Sequence, residues 1–144
     1  MGIEENKAIM YRVIEEIWNQ GKVELFDELF APDFVNHAPV EGVTGDIEGV
    51  KQLAVVMRQA FPDLHTTIVH MIAEGDRVGA YMFMHGTHSA PFMGVPATGR
   101  KVSAAMYSAI RVANGKIVER WGVSDGLGMF EQLGGKLVVP EQAS

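Results

Sequence analysis

The stretch VSAAMYSAIRVANGKIVERWGV, residues 102–123, decides the fold. Two runs of strand-forming residues, Val102 to Val112 and Lys116 to Val123, flank Ala113-Asn114-Gly115, and a short Asn-Gly connection between such runs reads as a β-hairpin. Upstream, Leu64 to Ala73 and Arg77 to Ser89 read as two more strands joined by Glu74-Gly75-Asp76. A small-residue loop, residues 90–101, carries the chain from them into the hairpin. Before residue 62 the apolar period is helical. Ile9, Met10, Val13, Ile14, Ile17 and Trp18 predict a helix from Ile3 to Gln20, with Gly21 as its stop. Leu25, Phe26, Leu29 and Phe30 predict a short helix from Val23 to Phe30, ended by Pro32, with a short strand at Phe34 to Asn36. A third helix runs from Asp46, its N-cap, to Phe61, where Pro62 stops it. A last short helix, Gly126 to Leu133, ends at Gly134-Gly135.

Helices followed by a meander of antiparallel strands indicate an α+β domain, assigned to residues 1–135. Residues 136–144 form a tail that either docks through Leu137 to Val139 or frays. The chain has 144 residues, enough for one domain, and 47% of them are hydrophobic, enough for a core. A formal net charge of -6 and the lack of a Lys/Arg cluster argue against a nucleic-acid partner. Without cysteine there is no disulfide, thiolate nucleophile or cysteine-ligated metal. No run of 18 apolar residues exists, so no membrane span is expected, and the charged, amphipathic N-terminus does not resemble a signal peptide. The expected location is cytoplasmic.

A curved sheet wrapped over helices leaves a hollow with an apolar wall and a few inward polar groups, the usual form of a small-ligand site. Hairpin register decides what enters it. A two-residue Asn114-Gly115 turn pairs Val112 with Ile117, points Trp121 to the face of Met106 and Ile110 and buries Glu119. A three-residue loop with a glycine bulge turns Val118, Arg120 and Gly122 inward instead, with Arg120 beside Ser108. Residue pattern alone leaves both open. An inward guanidinium needs a counter-ion, for which Asp33 and Asp125 are candidates, or a substrate carbonyl or carboxylate oxygen.

On the strand 77–89, Met82, Met84, Gly86 and His88 share one face and Tyr81, Phe83, His85 and Thr87 the other. If the methionines line the hollow, His88 stands at its mouth, as a general base or as an anchor for the 90–100 loop. Asn36 and His37 could cap the hollow, and Met57, Met84 and Met106 could furnish an adaptable wall or ordinary core. Asp125 is either an acid/base or the N-cap of the last helix. His65 and His70, five apart, are expected on opposite faces, and no histidine pair has metal-ligand spacing, so no metal site is expected.

The segments NKAIMYRVIEEIWNQG, FVNHAPVEGVTG, AFPDLHTTI, GTHSAPFMGVPATGRKV and GKIVERWGVSDGLGMFEQLG together resemble the SnoaL-like polyketide cyclase, or ester cyclase, family over residues 6 to 134. The resemblance implies the cone-shaped α+β barrel of nuclear transport factor 2 and ketosteroid isomerase, with an antiparallel sheet wrapped over three N-terminal helices. It implies a homodimer or homotetramer built through the sheet. It implies a cofactor-free intramolecular aldol condensation of a small apolar carbonyl or ester compound, which needs a base, an acid and donors for the enolate oxygen. Many relatives carry histidine-tryptophan-aspartate on the last strand, the aspartate being the acid/base. Here the triplet is Arg120-Trp121-Gly122. The resemblance favours the bulged register, because relatives place their acid at the position of Gly122, and this turns Arg120 inward. The resulting candidates are His88, Arg120 and Asp125 for chemistry and Asn36, His37, Met57, Met84, Met106 and Trp121 for substrate contact. A non-catalytic ligand-binding or assembly module, or a hydrolase or isomerase using an activated water, are the competing readings.

Overall fold

In the computed structural model, which describes residues 2–141, the first helix, α1 (Ile3–Arg12), runs on without a break into wider π-type turns over Val13–Asn19. Its apolar stripe is the expected one: Ile9, Met10, Val13, Ile14 and Ile17 are all buried. The widened end has a specific anchor. The Asn19 side chain accepts from the Thr66 amide (2.6 Å) and donates to the Thr66 carbonyl (3.0 Å), so it pairs with a strand as a backbone residue would. Arg58 donates to the otherwise orphaned carbonyls of Trp18 and Asn19 at the same helix end.

A 3₁₀ turn (Val23–Leu25) leads into α2 (Phe26–Leu29), and the chain becomes extended at Phe30. Strand β1 (Phe30–Asn36) is therefore longer than the expected 34–36 segment and contains Pro32, which does not end the helix. Pro32 is tolerated because β1 is an edge strand whose ladder is irregular between Phe30 and Val35. Helix α3 (Ile47–Ala60) starts at Asp46, whose carboxylate accepts from the Gly49 amide at 2.9 Å. Strands β2 (His65–Glu74), β3 (Arg77–Thr87), β4 (Lys101–Ala113) and β5 (Lys116–Ser124) follow, then α4 (Gly126–Gln132).

The five strands form one sheet in the order β1-β5-β4-β3-β2. The meander is antiparallel, and β1 closes it by pairing in parallel with β5, a partnership the strand pattern does not announce. The inner face of the sheet meets the helices in two apolar clusters. One joins α1 and its extension to Phe26, Phe34, Val78, Met82, Ile110 and Ile117. The other gathers Phe61, Leu64, Met84, Val102, Ala104, Met129 and Leu133. Trp18 and Met106 pack against both.

Two bulges set side-chain facing. In β2, Ile68 pairs with Met82 and His70 with Tyr81, leaving Val69 unpaired. That extra residue breaks the alternation, so His65 and His70 lie on the same outer face, not on opposite faces as strict alternation implies. They form no group of three metal-ligating side chains among the described residues. In β5 the hairpin has a two-residue Asn114-Gly115 turn, with both residues at positive φ (53° and 75°), the type I′ geometry that asparagine and glycine tolerate. Ala113 pairs with Lys116 and Val112 with Ile117, but Arg111 pairs with Glu119, so Val118 is the bulged residue. Val118 itself is not turned inward in ladder register, while Arg120 and Gly122 are, opposite Ile110 and Ser108.

Beyond Gln132 the described chain has no helix or strand, and Leu137, Val138 and Val139 are 71 to 79% exposed, so this stretch does not dock; residues 142–144 lie outside the described residues. No helix among the described residues is long and apolar enough to cross a membrane. Ile117 is fully enclosed where β5, α2 and the first helix meet. Replacing Ile117 with Ala is expected to lower unfolding stability by about 2–5 kcal/mol, measured by denaturant titration against the wild type.

Candidate functional site

Between the two apolar clusters, the inner face of the sheet carries one polar layer. Going along β4 from the second cluster to the first, the inward positions are Ala104, Met106, Ser108 and Ile110. Ser108 is buried, and Gly122 opposes it. On β1, Phe34 packs in the first cluster and Asn36, two residues on, is buried opposite Arg120. Adjacent strands in register thus bring Asn36 of β1 together with Ser108, Arg120 and Gly122 of the β4–β5 hairpin.

The Arg120 guanidinium is held by neutral oxygens. Its Nε donates to Ser108 Oγ at 3.0 Å and one Nη to Asn36 Oδ1 at 3.2 Å. Asn36 Oδ1 also accepts from the Ala38 amide (3.0 Å), which fixes the amide's orientation. Arg120 makes no ion pair with any described carboxylate. Asp33 is exposed on the other face of β1, and Asp125 is engaged elsewhere, so neither supplies the expected counter-ion. Burial pushes the Arg120 pKa below its ordinary value, because desolvation disfavours the charged form. The guanidinium lies across Gly122: a Cβ there would come within 2.5 Å of Nη2 and 2.8 Å of Cζ. The glycine is the space the cation occupies. Arg120 keeps partial exposure, so the layer is reachable from solvent.

His88 lies elsewhere. It is 0% exposed, within the loop connection and not at a mouth. Its Nδ1 accepts from the Thr98 amide (3.2 Å) and contacts Thr98 Oγ1 (2.9 Å), and its ring packs on Phe61. An Nδ1 that accepts an N–H bond is unprotonated, so in the neutral ring the proton sits on Nε2. Nε2 is buried without a partner. The histidine therefore pins the 90–100 loop, helped by backbone bonds from His88 to Arg100 and from Gly99 to His88. Arg120 shares a ladder row with Val78, ten residues from His88, or about 33 Å along an extended strand. The two do not converge.

Asp125 caps α4: its carboxylate accepts from the Gly128 amide at 2.8 Å. His37 and Trp121 lie on the outer face, not in the hollow. Their rings stack at 5.1 Å, His37 Nε2 meets Glu119 Oε2 at 2.7 Å, and Arg77 covers the indole at 4.8 Å from its centre. Glu119 also accepts from Arg111. Met84 is buried in the second cluster, and Met57 and Met106 pack against it half-buried, so all three are wall or core. The bulged register places Arg120 beside Ser108, as observed; residue pattern missed the contact with Asn36, because it depends on the parallel β1–β5 pairing. Two clefts open elsewhere: one of about 260 Å³ by Asn6, Asp76 and Asn114, and an apolar one of about 220 Å³ by Trp18, Val55, Arg58 and Leu64. Neither includes Arg120 or His88 among its lining residues.

With this geometry in place, comparison with known proteins is decisive for kinship. The model of the SnoaL-like polyketide cyclases matches residues 8–133. The chain belongs to that family. It is 28% identical to the aklanonic acid methyl ester cyclase DnrD of Streptomyces peucetius over 92% of this chain and 93% of that one. The structure of IdmH from Streptomyces antibioticus superposes with a TM-score of 0.78 at 36% identity, covering 90% of this chain and 99% of that one. TsrD from Streptomyces laurentii superposes with a TM-score of 0.84 at 25% identity, covering 93% and 98%. These matches establish the α+β cyclase fold and the kinship with polyketide ester cyclases.

Glu119 gives the outer face a pH signature. Hydrogen bonds from His37, and then from Arg111, hold its pKa below the usual carboxylate value. A depressed folded-state pKa stabilises the fold above the unfolded pKa and ceases to do so as pH falls through the folded one. Glu119→Gln is expected to be less stable than wild type at pH 7, with the gap in melting temperature closing as pH falls below about 4.5.

Proposed function

We propose that this SnoaL-like protein acts on a small polyketide-type carbonyl compound without a cofactor, with Arg120 as the group that grips the reacting oxygen. The observation that carries the reading is a guanidinium on the inner face of the sheet, held by Ser108 and Asn36 and without a carboxylate partner among the described residues. In an intramolecular aldol condensation a proton leaves the carbon α to a carbonyl, and negative charge develops on that carbonyl's oxygen. A preorganised cation in a poorly solvated layer lowers the energy of that enolate. Ser108 and Asn36 keep the fork in place before substrate arrives, so little reorganisation is needed when the charge forms.

The acid/base part differs from the arrangement the family resemblance implies. Gly122 offers no carboxylate, Asp125 is a helix cap, and His88 has its Nδ1 engaged by Thr98. These three facts favour one competing reading, a binding module of the same fold that holds its ligand without turning it over. A single assay separates the two. Incubation with an aromatic polyketide methyl ester is expected to give cyclised product by liquid chromatography, and Arg120→Met is expected to lose about 10²-fold or more of the rate. Ligand binding without product selects the binding module. Absence of both binding and product overturns the proposal.

We also propose a homodimer through the outer face of the sheet. Its support is a ladder row of Tyr81, Tyr107 and Val123, with Val123 71% and Tyr107 40% exposed. Light scattering of the purified chain is expected to give twice the 15.7 kDa chain mass, and Val123→Lys to shift it to the monomer. A monomeric wild type contradicts this assembly.

A further inference from the structure

We infer that the polar layer is built for an anion, and that the ligand this chain prefers carries a free carboxylate where the related methyl ester cyclases are named for an ester. The inference rests on the reading of that layer as the ligand site and goes further by naming the charge of what enters it.

Three features of the layer point the same way. The first is an unspent fork. Arg120 uses Nε on Ser108 and Nη1 on Asn36, and Nη2 has no hydrogen-bond partner among the described residues. A planar fork with donors to spare fits the two oxygens of a carboxylate, and a neutral ester carbonyl offers only one strong acceptor. The second is uncompensated charge. Both protein partners are neutral, and a half-buried cation without a counter-ion is a net cost to the fold. An arriving anion relieves that cost, while a neutral ester leaves most of it in place. The third is that the described carboxylates nearest in the chain and on the neighbouring strand face elsewhere. Glu119, the residue before Arg120, points outward to His37 and Arg111. Asp125 is turned onto the α4 amides, and Asp33 is exposed on the other face of β1. At Gly122 no side chain exists, and one placed there would meet the guanidinium. An acid at that position would pair with Arg120 and take the place of the ligand's charge. Glycine keeps the positive face open.

The test uses a matched pair of probes, 2-naphthoate and methyl 2-naphthoate, titrated calorimetrically into the intact protein at pH 7. Wild type is expected to bind the acid about 10-fold or more tightly than the ester, the size of one charge-assisted pair. Arg120→Gln is expected to erase that preference, so that the acid and the ester bind within about 2-fold of each other. Gly122→Asp keeps Arg120 but gives it an internal counter-charge, and it too is expected to erase the preference. This second variant covers the case in which Arg120→Gln fails to fold, which circular dichroism reports. Equal or tighter binding of the ester by wild type overturns the anion inference and leaves the proposed carbonyl-binding role standing. Retention of the acid preference in both variants overturns it as well, by placing the anion away from Arg120. Binding of neither probe overturns the inference together with the reading of the layer as a ligand site.

Discussion

The bulge at Val118 is the constraint on which the site depends. Side chains along a strand alternate, so the parity of one residue decides which half of β5 meets the helices. A regular ladder continued from the Asn114-Gly115 turn would face Glu119 and Trp121 inward. One extra residue reverses that choice from Glu119 onward while leaving Ile117 in the core. Either parity buries one charged side chain. The observed one sends the carboxylate outward to two cationic or hydrogen-bonding partners, Arg111 and His37. It leaves inside the longer and more weakly hydrated guanidinium, whose stem can pack while its head finds neutral oxygens.

From that parity the rest of the inner face follows. Arg120 stands between an apolar cluster under α1 and another under α4, with the Asn36 amide of β1 in its own ladder row and the Ser108 hydroxyl of β4 in the row of Gly122. Gly122 is the opening over which the guanidinium folds. The parallel pairing of β1 with β5 matters here, because without it Asn36 would not reach the ladder row of Arg120. The outer face is the complement: His37, Glu119, Arg111, Arg77 and Trp121 are joined by stacking and ion pairs on the convex side, where polar groups keep water.

His88 illustrates how burial changes the meaning of a residue. In a linear reading an imidazole next to a methionine-lined strand is a natural base. In the fold its acceptor nitrogen is taken by Thr98, and the ring holds the long 90–100 connection against Phe61. Asp125 is a parallel case, with its carboxylate committed to the first turn of α4. Members of one fold family can thus share backbone and pocket position while the groups available for proton transfer differ residue by residue.

The order of elements was readable in the chain. Apolar residues three and four apart marked α1 and α3, Asp46 and Pro62 bounded α3, and Asn114-Gly115 announced the hairpin, because these signals act over a few residues and need no distant partner. The inward position of Arg120 was readable only with the help of family resemblance, and by a different loop from the one observed. What residue pattern could not supply were the bulges at Val69 and Val118, the early start of β1 through Pro32, the parallel β1–β5 pairing and the partners of Arg120, His88 and Asp125. Each of these is settled by contacts between segments distant in the chain, where the cost of burying a charge or an unpaired backbone group is weighed against packing. That balance exists only once the sheet has closed over its helices.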